Sequence, residues 1–153
     1  MKVRIKKLDS NAVIPHYAMR GDAGMDLTAT SKFYDQYGNI CYGTGLAFEI
    51  PAGYVGLIFP RSSTSHRQQV LGNSVAVIDS GYRGEVVMKF KPSLALNDCQ
   101  CVTDRSIYDT YHIGDRIAQM IILPYPNIEF VESDELSTTE RATNGYGSTD
   151  NKQ

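Results

Sequence analysis

Apolar side chains alternate with polar ones along much of this chain, and this period of two restricts its fold more than any other feature. In LAFEI, residues 46–50, the apolar Leu46, Phe48 and Ile50 fall on one face. Successive side chains of a β-strand point to opposite faces, so the pattern predicts a half-buried strand. The same pattern predicts strands at 2–8, 54–59, 74–79, 85–90, 116–123 and 127–132. Helical spacing does not persist anywhere.

Turn-forming residues separate the predicted strands, among them Gly38-Asn39, Ser80-Gly81 and Pro124 to Pro126. Many short strands with regular turns favour a closed or double-sheet all-β fold, because closure protects sheet edges. A chain of 153 residues fits one domain. We therefore predict a β-barrel domain over 1–132 and a flexible arm over 133–153, where Leu136 is the one aliphatic anchor. Residues 93–112 fit no strong pattern, and we expect a long loop there.

Composition excludes several classes of protein. Hydrophobic residues make up 42% of the chain and charged residues 21%, which is ordinary for a globular protein. A net charge of -2 argues against broad adhesion to nucleic acid. The apolar run at 117–123 is too short to span a bilayer, and MKVRIKKLDS lacks the apolar segment of a signal peptide. We expect a cytoplasmic protein whose three cysteines are free thiols.

The segment GNSVAVIDSGYRGEV, residues 72–86, places a carboxylate at the end of an apolar row. Val75, Val77 and Asp79 fall on one face of the predicted strand. A carboxylate that such a row desolvates becomes a better general base. An Asp before Ser-Gly is also what a hairpin turn requires. Taken alone, the segment favours the turn, and both interpretations stay open at this point.

Three further segments carry polar groups that suit an anionic ligand. Arg61, Ser62 and Ser63 follow the strand at 54–59 and offer consecutive donors for phosphate oxygens, although such a sequence is also common in loops. Asp26, four residues after an Asp in GDAGMDLTA, has the oxygen ligands that hydrated Mg²⁺ prefers, or else bonds backbone amides in a turn. Gln119 interrupts an apolar strand and must find a partner, either in the core or in a ligand.

The segment RATNGYGSTD, residues 141–150, combines a cation, an aromatic ring and hydroxyl groups beside glycines. These are the groups that grip a nucleotide, and they also occur by chance in disordered tails. The segment does not contain the GxxxxGK[ST] pattern of a P-loop. Alone, it favours a tail.

The order of these segments is more specific than any one of them. AGMDL, PRSS, NSVAVIDSGYRGE, GDRIAQMI and a terminal R-x-x-x-G-Y-G-S-T follow one another between about residue 23 and residue 149. In this order they resemble the five motifs of the trimeric dUTPase family. The resemblance implies a jelly-roll-like β-barrel and Mg²⁺-dependent hydrolysis of dUTP to dUMP and pyrophosphate, which keeps uracil out of DNA and supplies dUMP for thymidylate synthesis. It also implies a homotrimer in which each active site draws motifs from all three subunits.

The resemblance implies a role for each motif residue. Asp79 matches the aspartate that holds and deprotonates the attacking water, and Tyr82 matches the tyrosine that packs on deoxyribose. Asp26 matches an aspartate that touches Mg²⁺ at most through water, the metal being held mainly by the triphosphate. The further substrate contacts are Asn73, Val77 and Ile78 at uracil, Tyr146 over the base, and Arg61, Ser62, Ser63, Gln119, Arg141, Gly147, Ser148 and Thr149 around the phosphates.

The arm departs from the family pattern, because Ala142 and Asn144 stand where it usually has glycine and Tyr146 stands where it usually has phenylalanine. Two other interpretations remain. The dCTP deaminases share the fold and an RSSxxR motif, but here the arginine comes one residue late, at Arg67, and Lys89 occupies the position of their catalytic glutamate. A non-catalytic nucleotide-binding trimer is the second alternative.

Overall fold

The computed structural model describes residues 1–93 and 110–144, in which the chain forms ten β-strands and one short 3₁₀ helix. The strands are β1 (Arg4–Lys7), β2 (Met25–Thr28), β3 (Ser31–Tyr34), β4 (Ile40–Gly43), β5 (Leu46–Glu49), β6 (Tyr54–Phe59), β7 (Gln69–Leu71), β8 (Ala76–Ile78), β9 (Val87–Pro92) and β10 (Arg116–Pro124), and the 3₁₀ helix spans Ser62–His66. Every strand pair is antiparallel. The predicted all-β class is confirmed. None of the described helical residues forms a segment long and apolar enough to cross a bilayer.

Two four-stranded sheets enclose the core. One has the order β2-β10-β6-β8 and the other β3-β4-β9-β7, while β1 and β5 form a separate pair. Inward side chains of both large sheets belong to one apolar cluster, which includes Leu27, Ile58 and Met120 from the first and Tyr42 and Phe90 from the second. This two-sheet arrangement agrees with the jelly-roll-like fold, and it buries the alternating apolar faces that the sequence displays.

Six of the seven strands predicted from alternation are confirmed, and their boundaries differ from the predicted ones by a few residues. Alternation missed β2, β3, β4 and β7. The strand β4 shows why, because all four of its residues are buried and the contrast between its two faces is lost. The turn predicted at Gly38-Asn39 does join β3 to β4, and Gly38 has a φ of 79°, which glycine adopts at little cost.

The strand predicted at 127–132 is wrong. Residues 125–144 form no strand or helix after β10 ends at Pro124. Ile128, Phe130 and Val131 expose 65%, 93% and 83% of their surface. The sequence has the strand period, but a strand also needs a partner for its backbone groups, and within the described residues of one chain no sheet edge pairs with this segment.

Candidate active site

One end of the sheet β2-β10-β6-β8 brings together three segments that are distant in sequence. Asp26 of β2 lies opposite Gln119 of β10, and Gln119 lies opposite Phe59 of β6. Arg61 follows Phe59 by two residues. Because residues in register are neighbours across a sheet, the antiparallel pairing alone places Asp26, Gln119 and Arg61 at one sheet end.

Asp26 holds two guanidinium groups at this sheet end. Arg61 Nε donates to its Oδ1 at 2.7 Å, and Arg116 Nη1 donates to its Oδ2 at 3.0 Å. Arg61 also donates through Nη1 to Ser63 Oγ at 3.2 Å and to the Arg116 carbonyl at 3.4 Å. The Arg61 and Asp26 side chains are mostly buried, with 24% and 20% of their surface exposed. The Arg61 guanidinium is therefore fixed before any ligand arrives.

These groups line a cavity of about 610 Å³, here called the arginine cleft. Its wall is formed by Ala18, Asp22, Ala23, Gly24, Asp26, Phe59, Pro60, Arg61, Ser62, Arg116, Gln119 and Ile121. Gln119 Nε2 donates to the Pro60 carbonyl at 3.0 Å, which ties β10 to the turn that carries Arg61. A Cβ at Gly24 would lie 2.8 Å from Gln119 Oε1, so a side chain at residue 24 would displace Gln119.

The strands β8 and β9 are consecutive and joined by a turn, but they do not pair with each other as the strands of a β-hairpin would. β8 pairs with β6, whereas β9 pairs with β4 and β7. At the turn the Tyr82 amide donates to the Asp79 carbonyl at 3.0 Å, and the Tyr82 hydroxyl donates to the Glu85 carbonyl at 2.9 Å. The Tyr82 ring lies close against Gly84, where a Cβ would clash with it.

The space between β8 and β9 is a groove. One cavity, of about 300 Å³, is lined by Val77, Ile78, Asp79, Tyr82, Glu85, Val86, Val87 and Lys89. A second, of about 260 Å³, is lined by Asn39, Gly72, Asn73, Ala76, Val87, Met88, Lys89 and Lys91. The two share Val87 and Lys89, so together they form one hairpin groove. Every nucleoside contact predicted in NSVAVIDSGYRGE lies along it.

The face that carries Asp79 differs from the expected apolar wall. Alternation along β8 is as predicted, but Ala76 points inward with 9% of its surface exposed, whereas Val77 exposes 59%. Asp79 is exposed as well. The row of Val75, Val77 and Asp79 therefore faces outward, and a single chain does not desolvate the carboxylate. The backbone of Asp79 forms the turn that was the alternative interpretation.

The described part of the C-terminal segment is exposed from residue 133 to residue 144. Arg141 Nε donates to the Asn144 carbonyl at 3.2 Å, and Ala142 has a φ of 46°, in the left-handed region. Arg141 is not among the residues that line the arginine cleft or the hairpin groove. The predicted contacts Tyr146, Gly147, Ser148 and Thr149 lie outside the described residues, as does most of the loop predicted at 93–112.

Sequence reasoning missed the role of Arg116 and the contacts of Tyr111. Arg116 begins the strand predicted at 116–123, and its position opposite Thr28 in the β2–β10 pair brings it to Asp26. Tyr111 lies near the end of the stretch 93–112, which fits no strong pattern, and no sequence signal marks it.

The described residues contain no group of three or more His, Cys, Asp or Glu side chains that could hold a metal ion by themselves. Asp26 is one of two acidic residues that line the arginine cleft, with Asp22, and each of its oxygens already accepts a hydrogen bond from an arginine. A carboxylate oxygen has a second lone pair, so an additional contact through water is compatible with this arrangement.

The model of the dUTPase family matches residues 10–150. A curated deoxyuridine 5'-triphosphate nucleotidohydrolase of Hydrogenobaculum sp. is 36% identical over 152 residues, which cover 97% of this chain and 98% of that one. The chain belongs to the dUTPase family. The expected enzyme class, dUTP diphosphatase, agrees with the names of its curated relatives.

Solved structures give the same family. A mutant dUTPase of Staphylococcus bacteriophage 80alpha with dUpNHpp has a TM-score of 0.79 and 27% identity, covering 97% of this chain and 98% of that one. A mutant dUTPase from phage phi11 of S. aureus, described with a structural Mg(II) ion, has a TM-score of 0.69 and 25% identity, covering 88% of this chain and 98% of that one.

Proposed function

We propose that this chain hydrolyses dUTP to dUMP and pyrophosphate, with the nucleoside in the hairpin groove and the phosphates at the arginine cleft. The observation that carries the proposal is that the motif residues lie in two regions of different chemistry, the hairpin groove and the arginine cleft. The groove is lined mainly by apolar groups, including Val77 and Ile78, together with the Asp79 carboxylate, whereas the cleft presents the guanidinium groups of Arg61 and Arg116. A nucleoside triphosphate has the same two parts.

The register of β6 and β8 supports a site shared between subunits. Ile78 lies opposite Gly56, so Asp79 comes beside Val55 at one end of β6. Arg61 lies two residues beyond Phe59, at the other end. The four steps from Val55 to Phe59 span about 13 Å at roughly 3.3 Å each, and Arg61 is farther still. This separation within one chain supports the proposal that a second subunit supplies one of the two groups to each site.

The exposed apolar residues after β10 provide the surface that such an assembly would bury. Ile128, Phe130 and Val131 lie in an extended segment without a partner strand in the described part of the chain. Surfaces of this kind mark protein interaction sites. We propose that this segment pairs with a second copy of the chain in a homotrimer, and that residues 133–153 extend from the 1–132 barrel as an arm.

Asp79 is proposed as the general base. Hydrolysis between the α- and β-phosphorus requires a water in line with the α-phosphorus, a group that accepts its proton, and positive charge near the leaving pyrophosphate. Asp79 is the carboxylate at the end of the hairpin groove and is open to water. In the proposed site Asp79 accepts the proton of the attacking water, while Arg61, fixed by Asp26, and Arg116 from a neighbouring subunit bind phosphate oxygens.

Mg²⁺ would enter with the triphosphate and supply additional positive charge to the phosphate oxygens. Asp26, which lines the arginine cleft, could contact its hydration shell. The phi11 relative, described with a structural Mg(II) ion, supports the use of this metal in the family. The groups that Tyr146, Gly147, Ser148 and Thr149 would offer lie outside the described residues, and their closure over the nucleotide is part of the same proposal.

The selection for deoxyribose is assigned to Tyr82. Its ring is held by a hydrogen bond to the Glu85 carbonyl and by close contact with Gly84. A ring fixed along the groove beside Val77 and Ile78 leaves no space for a 2′-hydroxyl in the proposed pose. In a cell this reaction would keep uracil out of DNA and supply dUMP for thymidylate synthesis. The cytoplasmic location stays a prediction.

Release of pyrophosphate from dUTP in the presence of Mg²⁺ tests the proposal, with dCTP and UTP as matched controls. We expect rapid release from dUTP and little from either control, since UTP carries the 2′-hydroxyl and dCTP a different base edge. Release of ammonia from dCTP would instead identify a deaminase. Binding of dUTP without release of pyrophosphate would identify a nucleotide-binding trimer that is not an enzyme.

A further inference from the structure

A buried hydroxyl outside the family motifs contacts the helix that carries the phosphate-binding serines. Tyr111 is 1% exposed, and its hydroxyl lies 2.8 Å from Thr64 Oγ1 and 3.4 Å from Ser63 Oγ. Both partners belong to the 3₁₀ helix at Ser62–His66. A single phenol thus contacts two consecutive side chains of that helix from the side of the core.

The Tyr111 ring has little freedom to move. It makes edge-to-face contacts with Tyr42 at 6.1 Å and with Phe90 at 5.8 Å between ring centroids. The Arg67 guanidinium lies over it at 5.3 Å from the ring centroid. The Tyr111 carbonyl accepts hydrogen bonds from Tyr42 and from Lys32, at 3.2 and 3.0 Å. Both the ring and the backbone of Tyr111 are therefore fixed by the β4–β9 part of the core.

The helix itself is too short to be rigid without such support. It has five residues, none of them buried, and no side chain caps its first turn. Backbone hydrogen bonds at its two ends run from the Thr64 amide to the Arg61 carbonyl and from the Arg67 amide to the Thr64 carbonyl. Short 3₁₀ segments have poor hydrogen-bond geometry, so contacts from the core matter more here than in a longer helix.

The hydrogen bonds of the Tyr111 hydroxyl extend through Ser63 to Arg61, and both residues are proposed phosphate contacts. Ser63 Oγ accepts a hydrogen bond from Arg61 Nη1, which leaves its own hydrogen free for the Tyr111 oxygen. The Tyr111 hydroxyl can then donate to Thr64 Oγ1, the closer of its two partners. In this arrangement the Ser63 and Tyr111 hydroxyls each act once as donor and once as acceptor, and the Thr64 hydroxyl accepts.

We propose that Tyr111 is a positioning residue that holds Ser62, Ser63 and Arg61 in the geometry required by the phosphate chain of the substrate. This role depends on the proposed function in one respect, namely that the phosphate chain of dUTP is the ligand of these residues. Preorganised hydrogen-bond donors bind a ligand without the entropic cost of ordering them. Loss of the Tyr111 hydroxyl would keep the packing of the ring but remove its hydrogen bonds to the 3₁₀ helix.

The test is Tyr111→Phe, with Tyr42→Phe as the matched control. Tyr42 belongs to the same ring cluster, and its hydroxyl contacts Gln69 and the Tyr111 carbonyl but not the 3₁₀ helix. A net hydrogen bond corresponds to about a fivefold change in an equilibrium constant. We expect Tyr111→Phe to raise the KM for dUTP about fivefold with kcat within about twofold, and to leave dUMP inhibition unchanged. Tyr42→Phe should lower the Tm and leave KM near the wild-type value, because Lys32 still donates to the Tyr111 carbonyl and the Tyr111 hydroxyl keeps its contacts with the helix.

A second variant tests the same hydrogen bond in case Tyr111→Phe does not fold. Thr64→Val removes the other partner of the same hydrogen bond from the outside of the core. It should raise KM to a similar extent, and the double variant should add little to either single change, because both remove one interaction.

Amide exchange supplies a readout that does not depend on catalysis. The Thr64 and Arg67 amides should exchange several-fold faster in Tyr111→Phe than in Tyr42→Phe. A wild-type KM together with wild-type exchange in Tyr111→Phe would overturn the inference, and so would an equal rise of KM in Tyr42→Phe. If the wild-type chain did not hydrolyse dUTP, the proposed function would fail, while the exchange rates would still decide whether Tyr111 holds the helix.

Discussion

Arg61 Nε lies 2.7 Å from Asp26 Oδ1, although the two residues are 35 positions apart in the chain. The second oxygen of Asp26 accepts a hydrogen bond from Arg116 at 3.0 Å. This aspartate therefore orients two arginines, whether or not it also contacts a hydrated metal ion.

Asp26→Asn should weaken substrate binding more than it slows turnover. The amide cannot accept two charge-assisted hydrogen bonds and leaves two guanidinium groups close together without a counter-charge. We expect a rise of about tenfold in the KM for dUTP, equivalent to about 1.4 kcal/mol. Asp22→Asn is the control, since Asp22 lines the same cleft and caps the Met19 amide. If the Mg²⁺ requirement shifted while KM held constant, the metal contact would be the dominant role of Asp26.

Asp79→Asn should keep nucleotide binding and abolish turnover. The amide retains the size of the carboxylate and the backbone turn to Tyr82, but it cannot accept the proton of the attacking water. General-base catalysis typically contributes 10²- to 10⁴-fold, and kcat should fall within that range while calorimetry finds unchanged affinity for dUpNHpp. A fully active variant would remove Asp79 from the mechanism.

Phe130→Lys should disrupt the assembly without unfolding the chain. Phe130 exposes 93% of its surface in the single chain, so a lysine there costs the isolated fold almost nothing. In the proposed trimer it would bury a charge at an interface. Native mass spectrometry should find fewer trimers and more monomers. Tyr37→Lys, at another exposed aromatic residue, should remain trimeric.

We expect the ionised Asp35 side chain to stabilise the folded chain, and we expect this stabilisation to be lost in acid. Hydrogen bonds from the Asn39 side chain, and further ones from Lys89 and from the Asn39 and Tyr37 amides, hold the pKa of the Asp35 carboxyl well below its usual range. The folded chain therefore keeps this group ionised at pH values where the unfolded chain protonates it. The contribution is present above about pH 4 and decreases as the pH falls further. Urea unfolding at pH 7 and pH 3 should differ less in Asp35→Asn than in the wild type, and an equal difference in the two proteins would contradict this role for Asp35.

Ala142→Gly should favour the turn that presents Arg141. Ala142 has a φ of 46°, and the left-handed region costs a residue with a Cβ about 1–2 kcal/mol. Part of this gain is offset because glycine has more freedom to lose. We expect the KM for dUTP to fall up to about fivefold, while Ala142→Val should raise it. Equal KM values for the three proteins would mean that this turn does not form in the complex.

The all-β class was predictable from the sequence, because alternation is a local pattern, whereas the roles of the site residues stay a prediction. Alternation located β6 to the residue, and the motif order placed Asp79 and Arg61 in different segments. Packing against distant residues was not predictable. The outward face of Val77 depends on which side of β8 meets the core, and the pairing of Arg116 with Asp26 depends on the β2–β10 register. The missing strand at 127–132 has the right period, but a single sequence does not say whether its partner belongs to the same chain.

The separation of Asp79 from Arg61 along β6 also has a genetic consequence. In the proposed trimer a subunit does not own an active site, since it gives its carboxylate to one site and its arginines to another. A subunit with an inactivating substitution would therefore also inactivate sites to which its neighbours contribute intact residues. Conversely, two copies with defects at opposite ends of the sheet could rebuild an intact site between them, so inheritance of activity would follow the assembly and not the single polypeptide.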